Sequence, residues 1–136
     1  MVVDEIMTRN PETIAEDRTI RDALGRMVEL NVRHLPVLRD YEVVGMVSDR
    51  DLRSVTEIST TLAEVSAGER LLDRRVVELM ASDVITVESA ADVTEAIDLM
   101  IETKVGALPV VDPHSGRLVG ILSYIDVMRA AQELFR

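Results

Sequence analysis

Two four-residue words carry most of the chemistry open to this sequence: Ser48-Asp49-Arg50-Asp51 and Ser123-Tyr124-Ile125-Asp126. Each follows a short apolar run, Val44-Gly45-Met46-Val47 or Val119-Gly120-Ile121-Leu122, and each opens a stretch with helical spacing. A helix starting there presents free backbone N–H groups and the positive end of its dipole, which suit a phosphate. A serine hydroxyl at the same place can donate to that anion. A carboxylate one turn further on can accept both hydroxyls of a sugar diol. Ser-x-x-Asp also has a purely architectural use, as a capping box in which the two side chains close the helix end on each other. Spacing alone leaves both uses open.

Composition removes several other chemistries. There are no cysteines, so disulfides, thiolate metal sites and a cysteine nucleophile are excluded. His34 and His114 are the two histidines, too few for a histidine-rich metal site, and no Gly-rich phosphate loop of the Walker type is present. Pairs of carboxylates are plentiful in so acidic a chain and carry little information, and no histidines and carboxylates cluster at metal-ligand spacing, so an enzyme is not expected. The net charge of −10 disfavours a nucleic-acid partner, whose phosphates call for a basic surface. The start, Met1-Val2-Val3-Asp4-Glu5, lacks the basic and apolar parts of a secretion signal. No apolar run approaches the roughly 20 residues of a membrane span. No membrane association and a cytoplasmic location are the expectation.

The elements that must position the two words are themselves duplicated. Sliding residues 3–38 forward by 73 positions brings 11 of 36 residues onto identical partners: Val3, Glu5, Met7, Thr13, Ala23, Met27, Glu29, Val32, Leu35, Pro36 and Val37. Two extra residues enter the second copy near Pro113-His114-Ser115-Gly116, and with a shift of 75 Val44, Gly45, Ser48 and Asp51 match as well. The identities sit at apolar and turn positions, as they do when both copies build one unit.

Each copy predicts the same order of elements. A turn of helix over Val3–Met7 leads in. Short strands are expected at Glu12-Thr13-Ile14 and Val84-Ile85-Thr86-Val87. Ile20, Ala23, Leu24, Met27 and Val28 recur at helical spacing, as do Val93, Ala96, Ile97, Met100 and Ile101. Thr19 with Asp22, and Asp92 with Glu95, have capping-box spacing, and Asn31 stands where a left-handed residue could end the first helix. Hairpins follow, Leu35–Leu38 with Glu42–Val47 and Leu108–Val111 with Leu118–Leu122, and each Ser-x-x-Asp word starts a last helix. The unit is β-α-β-β-α. Residues 54–74 read as an exposed connector with some helix at Ile58, Leu62 and Val65 and a break at Ser66-Ala67-Gly68. With aromatics at 2%, the core falls to Val, Ile, Leu, Met and Ala, and the methionines are core filling.

The duplication, the paired Leu-Pro-Val words and the two Gly-h-h-Ser-x-x-Asp words, where h is apolar, together resemble a tandem pair of CBS domains, the Bateman module. The resemblance covers essentially the whole chain. It implies an α+β fold of two β-α-β-β-α repeats, 1–60 and 75–136 with a connector at 61–74, packed through their sheet faces about a pseudo-twofold axis. It also implies a homodimer, and it implies a regulatory module that binds an adenine nucleotide (AMP, ADP or ATP) and signals to a regulated protein. The alternatives are a ligand-free interaction protein and a sensor of another adenosyl ligand such as S-adenosylmethionine.

Two clefts follow from the resemblance. One combines Ser123 and Asp126 with Met7, Glu12, Thr13, Val32, Arg33, His34 and Pro36, with Arg50 near enough to reach across. The other combines Ser48 and Asp51 with Met80, Val84, Ile85, Thr86, Val105, Gly106, Ala107 and Pro109. Arg33 and His34 give the first set cations for a phosphate. The second has an apolar wall, and its counterpart of Arg50 is Ile125, which suits a nucleoside-like ligand or none.

Overall fold

A computed structural model describes residues 1–56, 70–80 and 83–136. The fold is α+β, with two sheets and helices that belong to two compact units. The helix and the break read over residues 58–68 lie outside the described residues.

One unit is Glu12–Val84. Its sheet is β2 (Ile14–Ala15), β3 (His34–Arg39) and β4 (Glu42–Ser48), with β2 parallel and β4 antiparallel to β3. Helix α1 (Ile20–Leu30) connects β2 to β3, and α2 (Asp49–Thr56) follows β4 directly. Ile20, Ala23 and Met27, at helical spacing, bury one stripe of α1 against Leu35, Val37, Val47 and Leu52. The helix is closed at both ends as its sequence predicts. Thr19 Oγ1 accepts from the Asp22 amide at 3.1 Å and Asp22 Oδ2 from the Thr19 amide at 3.2 Å, while Asn31 ends the helix at φ 53°.

The other unit is Met1–Pro11 with Ile85–Arg136. Its sheet runs β1 (Thr8–Arg9), β7 (Leu118–Ser123), β6 (Ala107–Val111), β5 (Val87–Glu88). Helix α3 (Val93–Thr103) joins β5 to β6, and α4 (Tyr124–Leu134) follows β7. Ala96 and Met100 of α3 pack with Val87, Leu108, Val110 and Leu122.

These units cut across the duplication. Val3, from the lead-in of the first copy, is fully buried among the strands and helix of the second. Val76, its counterpart, is fully buried among those of the first. The backbone hydrogen bonds repeat as faithfully. The amides of Val3, Asp4 and Val93 donate to the carbonyls of Ala91, Ser89 and Met1. Those of Val76, Val77 and Ile20 donate to Arg18, Glu16 and Arg74. The lead-in turns are 3-10 helices, Val3–Glu5 and Val76–Glu78, in agreement with the turn expected over Val3–Met7.

Some local expectations shift. The strands after the lead-ins are two residues each and start later than Glu12 or Val84, because parallel pairing reaches only Val37 and Leu38 in one sheet and Val110 and Val111 in the other. Asp92 and Glu95 form no reciprocal box; Asp92 Oδ1 accepts instead from the Thr94 amide, 2.8 Å away and two residues on. That is the short local bond aspartate favours. Lys104 ends α3 in the left-handed region at φ 57°, where Asn31 stands in the first copy.

Strand β1 approaches β7 closely at Gly120, where a methyl group would lie 2.5 Å from Met7 Sδ and 2.9 Å from the Thr8 carbonyl oxygen. Gly25, inside α1, faces open space. The two glycines therefore predict opposite signs. Gly120→Ala is expected to lower stability by about 1–3 kcal/mol through overpacking. Gly25→Ala is expected to raise it by about 0.5–1 kcal/mol by removing glycine from a helix interior. Urea unfolding of the two variants checks both signs.

Candidate functional site

In the unit that ends the chain, the hairpin β6–β7 delivers Ser123 to the start of α4. Ser123 Oγ accepts from the Asp126 amide at 3.3 Å, and Asp126 Oδ2 accepts from the Ser123 amide at 3.0 Å and the Ser123 hydroxyl at 3.2 Å. The capping box is thus made. Asp126 is nevertheless only 8% exposed. Its carboxylate receives a further donor that no sequence motif marks: Thr8 Oγ1, 3.3 Å from Oδ1 and 3.5 Å from Oδ2. Thr8 and Asp126 are 118 residues apart. Met7, beside Thr8, is buried in the same unit.

In the Glu12–Val84 unit, Ser48 Oγ accepts from the Asp51 amide at 3.0 Å, so this word also closes a helix end. Asp51 is exposed where Asp126 is buried. The antiparallel register sets His34 opposite Ser48, and the Arg33 carbonyl accepts from the Asp49 amide at 2.8 Å. Burial pushes the His34 imidazole below its usual value of 6.5; Asp51 and Asp49 favour its cation and Arg33 opposes it. Arg33 and His34 therefore stand beside Ser48, Asp49 and Asp51. In a hairpin the first residue of one strand faces the last of the other, and this sets His34 beside Ser48 within the unit. The second unit repeats the geometry with different side chains: Ala107 opposite Ser123, and the Gly106 carbonyl accepting from the Tyr124 amide at 3.0 Å.

The other candidate residues distribute between the units. Glu12, Thr13, Val32, Pro36, Arg50 and Met80 fall in Glu12–Val84 with Val84 itself, and Ile85, Thr86, Val105 and Pro109 fall in the other. Arg50 is exposed, Pro36 and Pro109 are buried inside their strands, and the Thr13 carbonyl accepts from Arg26. Among the described residues, no group of three or more His, Cys, Asp and Glu is placed to hold a metal ion, and no helix is long and apolar enough to cross a membrane.

The CBS domain family matches residues 3–57 and 76–133, the two copies found by the internal shift. The chain belongs to the CBS domain family. A CBS domain-containing protein of Dictyostelium discoideum is 34% identical over 131 residues, which cover 94% of this chain and 89% of that protein. CBSX1, a chloroplastic CBS domain-containing protein of Arabidopsis thaliana, is 32% identical, with 98% of this chain matched to 65% of its length. The crystal structure of the CBS-pair protein CBSX2 from Arabidopsis thaliana superposes with a TM-score of 0.83 at 33% identity, covering 99% of this chain and 96% of that one. CBSX2 in complex with AMP gives a TM-score of 0.80 at 32% identity, covering 99% and 98%.

His34 gives this CBS protein a predictable response to acid. Its folded-state pKa is depressed, so the unfolded chain binds the proton more readily. Stability is then kept above the unfolded value near 6.5 and lost as pH falls below it toward the folded value. His34→Gln is expected to lose less stability than the wild type between about pH 7 and 5. Parallel stability curves from denaturant titrations across that range would refute the assignment.

Proposed function

We propose that the chain is a regulatory module that binds an adenine nucleotide (AMP, ADP or ATP) at its Ser-x-x-Asp motifs, passes the bound state to a partner protein, and carries out no reaction of its own. The reading rests on one observation above others. CBSX2, whose crystallised chain is matched over 98% of its length, has been crystallised in complex with AMP, and this chain has a serine and an aspartate at the start of both α2 and α4. The roles assigned are chemical. Asp126 and Asp51 accept ribose hydroxyls, Ser123 and Ser48 with the helix amides meet phosphate, Arg33 and Arg50 add positive charge, and the His34 imidazole offers a hydrogen bond. The apolar and small residues Met7, Val32, Pro36, Met80, Ile85, Val105, Gly106, Ala107 and Pro109, with Glu12, Thr13 and Thr86, complete the proposed binding surface.

A second reading has a specific observation in its favour. Ser123 and Asp126 already satisfy each other, as a helix cap with no ligand does. In that reading the chain is an interaction protein. Calorimetry with AMP, ADP, ATP and adenosine on the wild type, Asp126→Asn and Arg33→Ala separates the two. Under the nucleotide reading, Asp126→Asn weakens binding about tenfold or more, in line with roughly 1.5–3 kcal/mol for a hydrogen bond to a charged group. Arg33→Ala weakens the phosphorylated ligands more than adenosine and reduces the salt dependence. No binding by the wild type at millimolar concentration leaves the interaction protein.

We also propose that the working form is a homodimer in the cytoplasm. Val28 of α1 and Ile101 of α3, at matching positions of the two copies, are 70% and 68% exposed, and Tyr124 and Met128 of α4 are exposed as well. Apolar side chains left outside on matching helices favour association. Light scattering at micromolar concentration is expected to give twice the chain mass, and Val28→Glu with Ile101→Glu to give the chain mass.

A further inference from the structure

The Thr8–Asp126 contact joins the lead-in of the first copy to the motif of the second, and the geometry of the sheet explains how. Strand β1 pairs with β7 so that Thr8 lies opposite Ile121. Ser123, two residues further along β7, shares that face, and diagonal neighbours in a sheet are within reach of each other. The bare Gly120 lets β1 come close enough for the Thr8 hydroxyl to arrive at the carboxylate that the helix start holds.

The capping box by itself defines one side of that carboxylate. Both Ser123 donors go to Oδ2, and the donor to Oδ1 is Thr8. We propose that Thr8 is a positioning residue: its hydroxyl fixes the second oxygen of Asp126, so that the carboxylate stands ready as a two-oxygen acceptor for a vicinal diol. This rests on the nucleotide reading above and adds to it a residue whose effect is confined to the ribose. Thr8 lies outside either Ser-x-x-Asp word.

The test is calorimetry of the full chain with AMP and with its 2′,3′-dideoxy analogue, for the wild type, Thr8→Val and Thr8→Ser. Valine keeps the shape of threonine without the hydroxyl; serine restores it. The wild type is expected to prefer AMP over the dideoxy compound. Thr8→Val is expected to weaken AMP about three- to tenfold at one binding step, the range of a single hydrogen bond, and to leave the dideoxy compound within about twofold. Thr8→Ser is expected to return AMP to the wild-type affinity. Unchanged AMP affinity in Thr8→Val, with the wild type still preferring AMP, overturns the role of Thr8 and spares the nucleotide reading. Equal weakening of both compounds overturns it too, since that is the mark of a general loss of structure. A wild type that does not distinguish the compounds, or binds neither, overturns the assignment of Asp126 to the ribose and this proposal with it.

Discussion

Val3 and Val76 are each fully buried in a unit whose main helix and strands come from the other copy of the sequence. The rest of the architecture depends on this trade. A β-α-β-β-α unit of about 50 residues is small for a self-sufficient core. Its short first strand pairs over two residues, leaving the entry to the following helix open for another segment. The lead-in supplies the missing side chain. Its backbone closes the entry with the same three hydrogen bonds in both units. The lead-in turn, the helix entry and the first strand are therefore held in common.

The placement of the candidate site follows from that closure. Strand β1 extends the lead-in along β7 and begins with Thr8, against Asp126. A carboxylate that sequence alone leaves divided between capping and binding is thereby shown to cap, while a second donor holds its other oxygen. In the other unit Asp51 is exposed, and the half-buried His34 stands among Arg33, Asp49 and Asp51. The duplication preserved the frame and let the two hairpin ends diverge: His34 and Arg33 in one, Ala107 and Gly106 at the same register positions in the other.

The parts of this fold legible in the sequence are those encoded locally. Helix α1 announces itself through Thr19, Asp22 and Asn31, and the hairpins through Leu-Pro-Val, the turn residues and the strands that lead into Ser48 and Ser123. The start of each last helix was readable for the same reason. What was not legible is encoded at a distance. Nothing near Val3 says that its partners lie beyond residue 86, because an apolar residue in a lead-in fits either copy equally well. Thr8 is an exposed polar residue in a two-residue strand, and no local pattern marks it. The placement of His34 opposite Ser48 is, by contrast, carried by the register of a single hairpin. Asp92 differed from Thr19 through the length and geometry of one side chain.

The exchanged lead-ins also bear on how such a chain can be divided. A fragment holding a single copy would carry a lead-in valine with no cavity of its own to enter, and a core lacking the valine it needs. Two such fragments hold matching surpluses and deficits, and each can complete the other. The covalent link between the copies does within one molecule what domain swapping does between two. Cutting that link turns an internal arrangement into a stoichiometry, with the copies counted in pairs.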